Sequence, residues 1–436
     1  RPWLVGGALL VAAGAACDAH AAAATATVGS TTTTPLLTKS IDKSQMTTLQ
    51  GSVPAKARSS ADAGPMNTTE LISSMTLVLK RSDDQQKRFD TYLASLDNPS
   101  SPNFHKWLTA RQVGEQFGPN QKDIAAVKAW LASQGLGVKN VSADGMLIRF
   151  NGSVGAVQQA FGTSLHHFTG ADGKRHFANA AEQKLPTALV PVVRGVASLT
   201  DFFPKPQKKD AQPVKRNKKG EWITAGAPSS DFNFVYQGDV QFDVVPADFG
   251  TIYNVNPLWN QSTPVRGAGQ TVAVLERTDV LDADIATFRH TFLPADAKGV
   301  FTQIHPAGFA GDTSCADPGT NADEGEAALD AEWGGAAAPD ANVTLASCAD
   351  SGADFGAFLA AQNLLEQDAP PPIMSLSYGE CESVSAAVGD LDEAAALWST
   401  AAAEGVTVFV STGDAGSAGC DQNQVASSFG IAVNGL

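Results

Sequence analysis

With 436 residues, 43% hydrophobic and 17% charged, the chain is long enough for two or three domains, each with its own core. The formal net charge of −15 is unevenly spread: residues 1–240 carry 26 Lys and Arg against 18 Asp and Glu, residues 241–436 only 4 against 27. The last basic residue is Lys298, which excludes nucleic acid or an anionic membrane surface as partners of the final third. So acidic a region suits an acidic medium, where protonation relaxes its self-repulsion, although general solubility explains the charge equally well.

In chain order, Arg1 precedes a short run of apolar and small residues, with Ala19-His20-Ala21 beyond. This is the pattern of a secretory signal peptide over residues 1–23, too short to span a bilayer. Without an initial Met, the N-terminus reads as clipped. Cys17 follows Gly14-Ala-Ala, a poor lipid-attachment context because Gly14 stands where a large apolar residue belongs. Residues 24–65, rich in Ala, Thr and Ser, read as a flexible leader.

Residues 66–203 are tightly patterned. Met75–Leu79 reads as a strand, and Ser82 with Gln85 forms a capping box for a helix carrying Phe89, Leu93 and Leu96. A second helix spans Gln121 to Gln134 through Ile124, Val127 and Leu131, and Gly135 stops it. A strand over Met146–Phe150, a helix over Ser153–Phe161 and a hairpin turning at Asp172-Gly173 follow. This order predicts an α+β sandwich of ferredoxin-like type. Residues 204–243 then interleave Pro204, Pro206 and Pro213 with seven Lys and Arg residues, the composition of an exposed linker open to proteolysis.

From 244 onward, uninterrupted apolar strands alternate with helices. Strands are expected at Thr271–Leu275, Asn342–Leu345, Ile373–Ser377 and Val406–Val410. Helices are expected at Asp282–Phe292, Glu324–Trp333, Asp354–Gln367 and Ser385–Glu404. Strands buried on both faces imply a parallel, doubly wound α/β sheet, whose ligands bind beyond the strands' carboxyl ends. Glu276, Tyr378 and Asp414 lie at such ends. Glu326 and Asp330 stand four apart on one face of a helix, where like charges repel, so a short Ala-rich helix has little reason to carry them unless a site uses the pair. Alone, each of these residues is as well explained as a solvated helix face, a turn former or a packing residue.

Four cysteines lie in the acidic half: Cys315, Cys348, Cys381 and Cys420. An even count in an exported protein favours two disulfides, and no Cys-x-x-Cys spacing supports zinc. Three pairings are open in principle. The expected one joins Cys315 to Cys348 and Cys381 to Cys420.

Three motifs occur in order: Gly-Glu-x-x-Leu-Asp-x-Glu over 325–332, Ser-Leu-Ser-Tyr-Gly-Glu over 375–380, and Ser-Thr-Gly-Asp-Ala-Gly over 411–416. Each is weak alone, but in combination the chain resembles the sedolisin (serine-carboxyl peptidase) family from about residue 70 onward. Asn103–Thr109, Phe117–Pro119 and Asp201-Phe202 resemble that family's activation prodomain. The resemblance implies a subtilisin-like peptidase domain, here residues 244–436, behind a prodomain over 66–203 that acts in cis. It implies Glu326 as catalytic glutamate, Asp330 as its hydrogen-bonded partner and Asp414 as the oxyanion-hole aspartate. Glu276 would extend that network, and Ser375, Ser377, Tyr378 and Gly379 would form an edge that holds substrate backbone.

The family's nucleophile, the serine of a Gly-Thr-Ser motif beyond the Gly-Asp-x-Gly turn, has no match, since Gly162-Thr163-Ser164 falls in the prodomain hairpin. The family's calcium ligands lie later still. The chain is therefore expected to be an inactive fragment of a secreted or periplasmic, monomeric, acid-acting endopeptidase precursor whose substrates are unfolded proteins or peptides. The rival expectation is a secreted, non-catalytic relic serving as a binding scaffold. A Ser-His-Asp hydrolase is disfavoured because the acidic half holds only His290 and His305, and no His-Glu-x-x-His is present.

Overall fold

The computed structural model describes residues 34–436 apart from 198, 207–232, 237–238, 243, 309–313 and 422–429. The expected signal peptide, Cys17 and most of the expected processing region lie outside the described residues.

In the N-terminal domain, β1 (Leu71–Leu79) is followed by α1 (Asp83–Leu96), α2 (Ala110–Phe117) and α3 (Gln121–Ser133). Next come β2 (Gly137–Val141), β3 (Leu147–Ser153), α4 (Val154–Phe161) and β4 (Val193–Ala197). The helix starts follow from side-chain caps: Ser82 with Gln85 and Thr109 with Gln112 form capping boxes, and Ser153 caps α4. The sheet order is β2-β3-β1-β4, with every neighbouring pair antiparallel. The period-2 pattern of β1 and β3 gives the sheet two different faces. Met75, Leu77, Leu79, Ile148 and Phe150 join the domain's own core with Val127 and Leu131 of α3 and Val157 and Phe161 of α4. Val78 and Leu147 point the other way, into a core shared with the second domain.

The leader departs from the flexible reading. Leu36, Leu37 and Ile41 pack against the N-terminal core, and the Leu36 and Leu37 amides donate to Asp123. Met46–Thr48 pairs antiparallel with Lys184–Pro186. These anchors are too sparse to leave a periodic trace in an Ala- and Thr-rich stretch.

The second domain is built on β6 (Thr271–Glu276), β7 (Phe301–Ile304), β8 (Asn342–Ser347), β9 (Ile373–Leu376) and β11 (Thr407–Val410). The short β10 (Tyr378–Gly379) follows β9. The five-stranded sheet has the order β7-β8-β6-β9-β11 and is parallel throughout. Val274, Val343 and Leu345 face Ile285 of α5 (Asp282–Phe292) and Ala327 and Ala331 of α6 (Glu324–Ala337). Ala273, Leu275 and Ala346 face α7 (Gly356–Leu365) and α9 (Asp390–Glu404). Burial on both faces is what continuous apolar strands require.

The helix expected over Ser385–Glu404 is two helices, α8 (Glu382–Val388) and α9, separated at Gly389. Gly389 adopts φ 87°, and a Cβ there would lie 3.1 Å from the Ala197 Cα of β4, so a left-handed residue without a side chain ends α8 at the domain contact.

Every residue of α7 is buried, because it lies between the parallel sheet and the N-terminal domain. Polar groups lock this contact. The Arg149 Nε donates to Asp354 Oδ2 at 2.7 Å and its Nη2 to Gln362 Oε1 at 2.9 Å. Asp354 also accepts from Ser74 and Thr76 of β1. Around them, the Ala110 amide donates to Glu404, the Ala143 amide to Glu366, and Lys56 pairs with Glu380. Among the described residues no helix is long and apolar enough to cross a membrane.

Candidate active site

The carboxyl ends of β6, β9 and β11, three neighbouring strands, carry the expected acidic and aromatic residues. Glu276 closes β6 and is 0% exposed. The Tyr378 hydroxyl, also fully buried, donates to Glu276 Oε2 at 2.6 Å, whereas Glu276 Oε1 has no hydrogen-bond partner among the described residues. Burial, then the carboxylate of Asp330, and more weakly those of Glu326 and Asp323, push the Glu276 pKa well above the usual range; the Tyr378 bond pulls the other way. Glu276 is thus held toward its protonated form relative to an ordinary glutamate. The Tyr378 phenol is itself raised, by burial first and then by Glu276.

Helix α6 supplies the other acids. Glu326 lies buried in its first turn, where the positive end of the helix dipole favours an anion, and half-buried Asp330 follows one turn later. The structure therefore brings Glu276, Tyr378, Glu326 and Asp330 into one electrostatic cluster. Asp414 is exposed in the turn after β11, two strands from β6, or about 10 Å by ordinary strand spacing.

Ser375 pairs with Val274 and Phe409 inside the sheet, so its main chain is not available at an edge. The open edge begins after it, at half-buried Ser377 and the Tyr378-Gly379 of β10. A two-residue strand just past the N-terminal domain, β5 (Lys205–Pro206), lies antiparallel on that edge, Lys205 opposite Gly379 and Pro206 opposite Tyr378. Both expected disulfides are present, Cys315–Cys348 and Cys381–Cys420.

Two supporting residues escape sequence reasoning. Arg277 donates to Asp323, the residue before α6, and to Asp350, each at 2.6 Å, and its guanidinium lies 5.9 Å from the Tyr378 ring centre. Burial alone would weaken its charge, but Asp350 and Asp323 outweigh burial and hold it more firmly protonated than usual. A charged residue just past a buried strand was the available signal. Asn434 donates to the carbonyls of Tyr378 and Ser411 and accepts from the Glu380 amide, tying the ends of β9 and β11 together. No motif marks it.

A buried acid beside further carboxylates can hold and pass a proton, and acids that influence one another titrate as one system. Fold and site thus define a mixed α/β protein with a carboxyl cluster at the carboxyl ends of a parallel sheet and an N-terminal domain docked on it. The family described as Pro-kumamolisin, activation domain, matches residues 58–202. Xanthomonalisin of Xanthomonas sp. (strain T-22) is 27% identical over 75% of this chain and 38% of its own length. Kumamolisin of Bacillus sp. (strain MN-32) is 24% identical over 86% and 62%, and sedolisin of Pseudomonas sp. (strain 101) 29% identical over 75% and 51%. The chain is thus similar to members of the sedolisin family, and its N-terminal domain to their activation domain. It spans between 38% and 62% of the length of these relatives.

Proposed function

We propose that this chain comprises the prodomain and the first part of the peptidase domain of a secreted, acid-acting serine-carboxyl endopeptidase precursor. The N-terminal antiparallel sheet, crossed by helices between its strands, is read as a ferredoxin-like prodomain over 66–203, and residues 244–436 as the start of a subtilisin-like domain. Glu326 takes the proton of the attacking hydroxyl, with Asp330 sharing that proton. Glu276 and Tyr378 extend the network inward. Asp414 supplies its carboxyl O–H to the oxyanion. No residue of this chain is assigned as the nucleophile or as a ligand of the calcium that the family resemblance implies.

The observation that supports this reading most is the pairing of β5 on β10. The start of the linker, just past the N-terminal domain, lies as an extended strand on the edge assigned to substrate, within reach of the Glu276–Tyr378 pair. Main-chain pairing of this kind holds a peptide without regard to its side chains, as an endopeptidase acting on unfolded protein needs. The test uses the precursor extended through the family's serine motif. It is expected to process itself within 204–243 and then cleave an unfolded protein best at about pH 3–5, both lost in Glu326→Ala. Unchanged activity in that variant refutes the assignment.

A further inference from the structure

On the opposite side of the same sheet end, three metal-ligating side chains converge outside the proposed catalytic cluster. Asp279 lies three residues past β6, His305 directly follows β7, and Asp317 sits in the loop that Cys315 fastens to Cys348 just past β8. One donor atom from each lies within 4.8 Å of the others. His305 Nε2 is 3.1 Å from Asp279 Oδ1 and 3.8 Å from Asp317 Oδ1. We propose that Asp279, His305 and Asp317 form a binding site for a divalent transition-metal ion of the zinc or manganese kind, completed by water.

Spacing, charge and support all favour it. Ligands about 2.1 Å from one ion stand roughly 3.0–3.4 Å apart, so the ion needs only a small inward movement of Asp317. Two carboxylates around one neutral imidazole leave two negative charges for a dication to neutralise. An imidazole donor selects borderline metals over calcium, which prefers oxygen alone. The ligands are also held from behind. The Ser347 hydroxyl donates to Asp279 Oδ1 at 2.6 Å, the Gly319 amide to Asp317 Oδ1 at 2.7 Å, and the Asp279 amide to the Gly319 carbonyl. The site fastens the loop before α6 to the sheet. That loop's Asn321 and Asp323 grip the Arg277 carbonyl and guanidinium, so the ion stiffens the approach to the helix that carries Glu326.

The test is zinc titration of the 436-residue chain by calorimetry at pH 7, with cobalt absorption bands reporting a nitrogen ligand. The expected result is one ion per chain at pH 7 and a thermal midpoint raised by zinc. Asp317→Asn, whose side chain is 68% exposed and so spares the fold, and His305→Ala each lose at least ten-fold in affinity. Equal zinc affinity in the parent and Asp317→Asn, or cobalt bands unchanged in His305→Ala, overturns the site.

Discussion

Replacing Arg149 with Met tests how the N-terminal domain is held on the parallel sheet. Arg149 is 2% exposed, and its guanidinium is the cation that faces Asp354 across the domain contact. Methionine fills much of its volume but leaves Asp354 a buried carboxylate served, among the described residues, by the Ser74 and Thr76 hydroxyls. Breaking a buried pair by removing one partner costs about 3–5 kcal/mol, and the two remaining hydroxyl donors place the expected loss near the lower figure. Asp354→Asn added to Arg149→Met removes the stranded charge and should recover at least half of that loss. Urea unfolding of parent, single and double variants measures both steps, and limited proteolysis reports whether the interface opens first. A single-variant loss below about 1 kcal/mol, or a double variant no more stable than the single, refutes the claim that this buried pair locks the domains.

Other consequences follow from the same contact and its surroundings. Burial, then neighbouring carboxylates, raises Glu393 to about 8 and Glu404 to about 9, from an ordinary 4.5. An acid with a raised folded-state pKa contributes stability that is full below about pH 4.5 and is lost as pH climbs through 8–9. Unfolding free energy should therefore fall from pH 5 to 9 and fall less steeply in Glu404→Gln; parallel slopes contradict this. Opening Cys381–Cys420, which closes a separation of 39 residues, with Cys420→Ser should cost about 2–4 kcal/mol in chemical unfolding, and no change contradicts it.

Much of this arrangement was legible in the residues. Continuous apolar strands announced the parallel sheet, and Ser82/Gln85 and Ser153 announced helix starts; Glu276, at the end of β6, lies in none of the three acidic motifs. Other features left weaker traces. β7 is an edge strand with only every second residue partly buried, so it lacks the dense apolar run of its neighbours. The break at Gly389 depends on Ala197, nearly two hundred residues away in the chain. Ser375 looked like part of an open edge because sequence cannot tell which strand will have neighbours on both sides. Arg277 and Asn434 act through contacts between segments distant in sequence, which no local spacing encodes.

The central claim is that carboxyl groups here share protons as one cluster, and the carboxyl carbon of Glu276 reports on it directly. In protein labelled with carbon-13 at glutamate side chains, with the signal assigned by its loss in Glu276→Gln, a pH titration should find Glu276 ionising well above an ordinary glutamate. Asp330→Asn should move its ionisation downward, since Asp330 is the carboxylate that raises it most. A Glu276 that ionises near 4.5 like an exposed glutamate, indifferent to Asp330→Asn, contradicts the account.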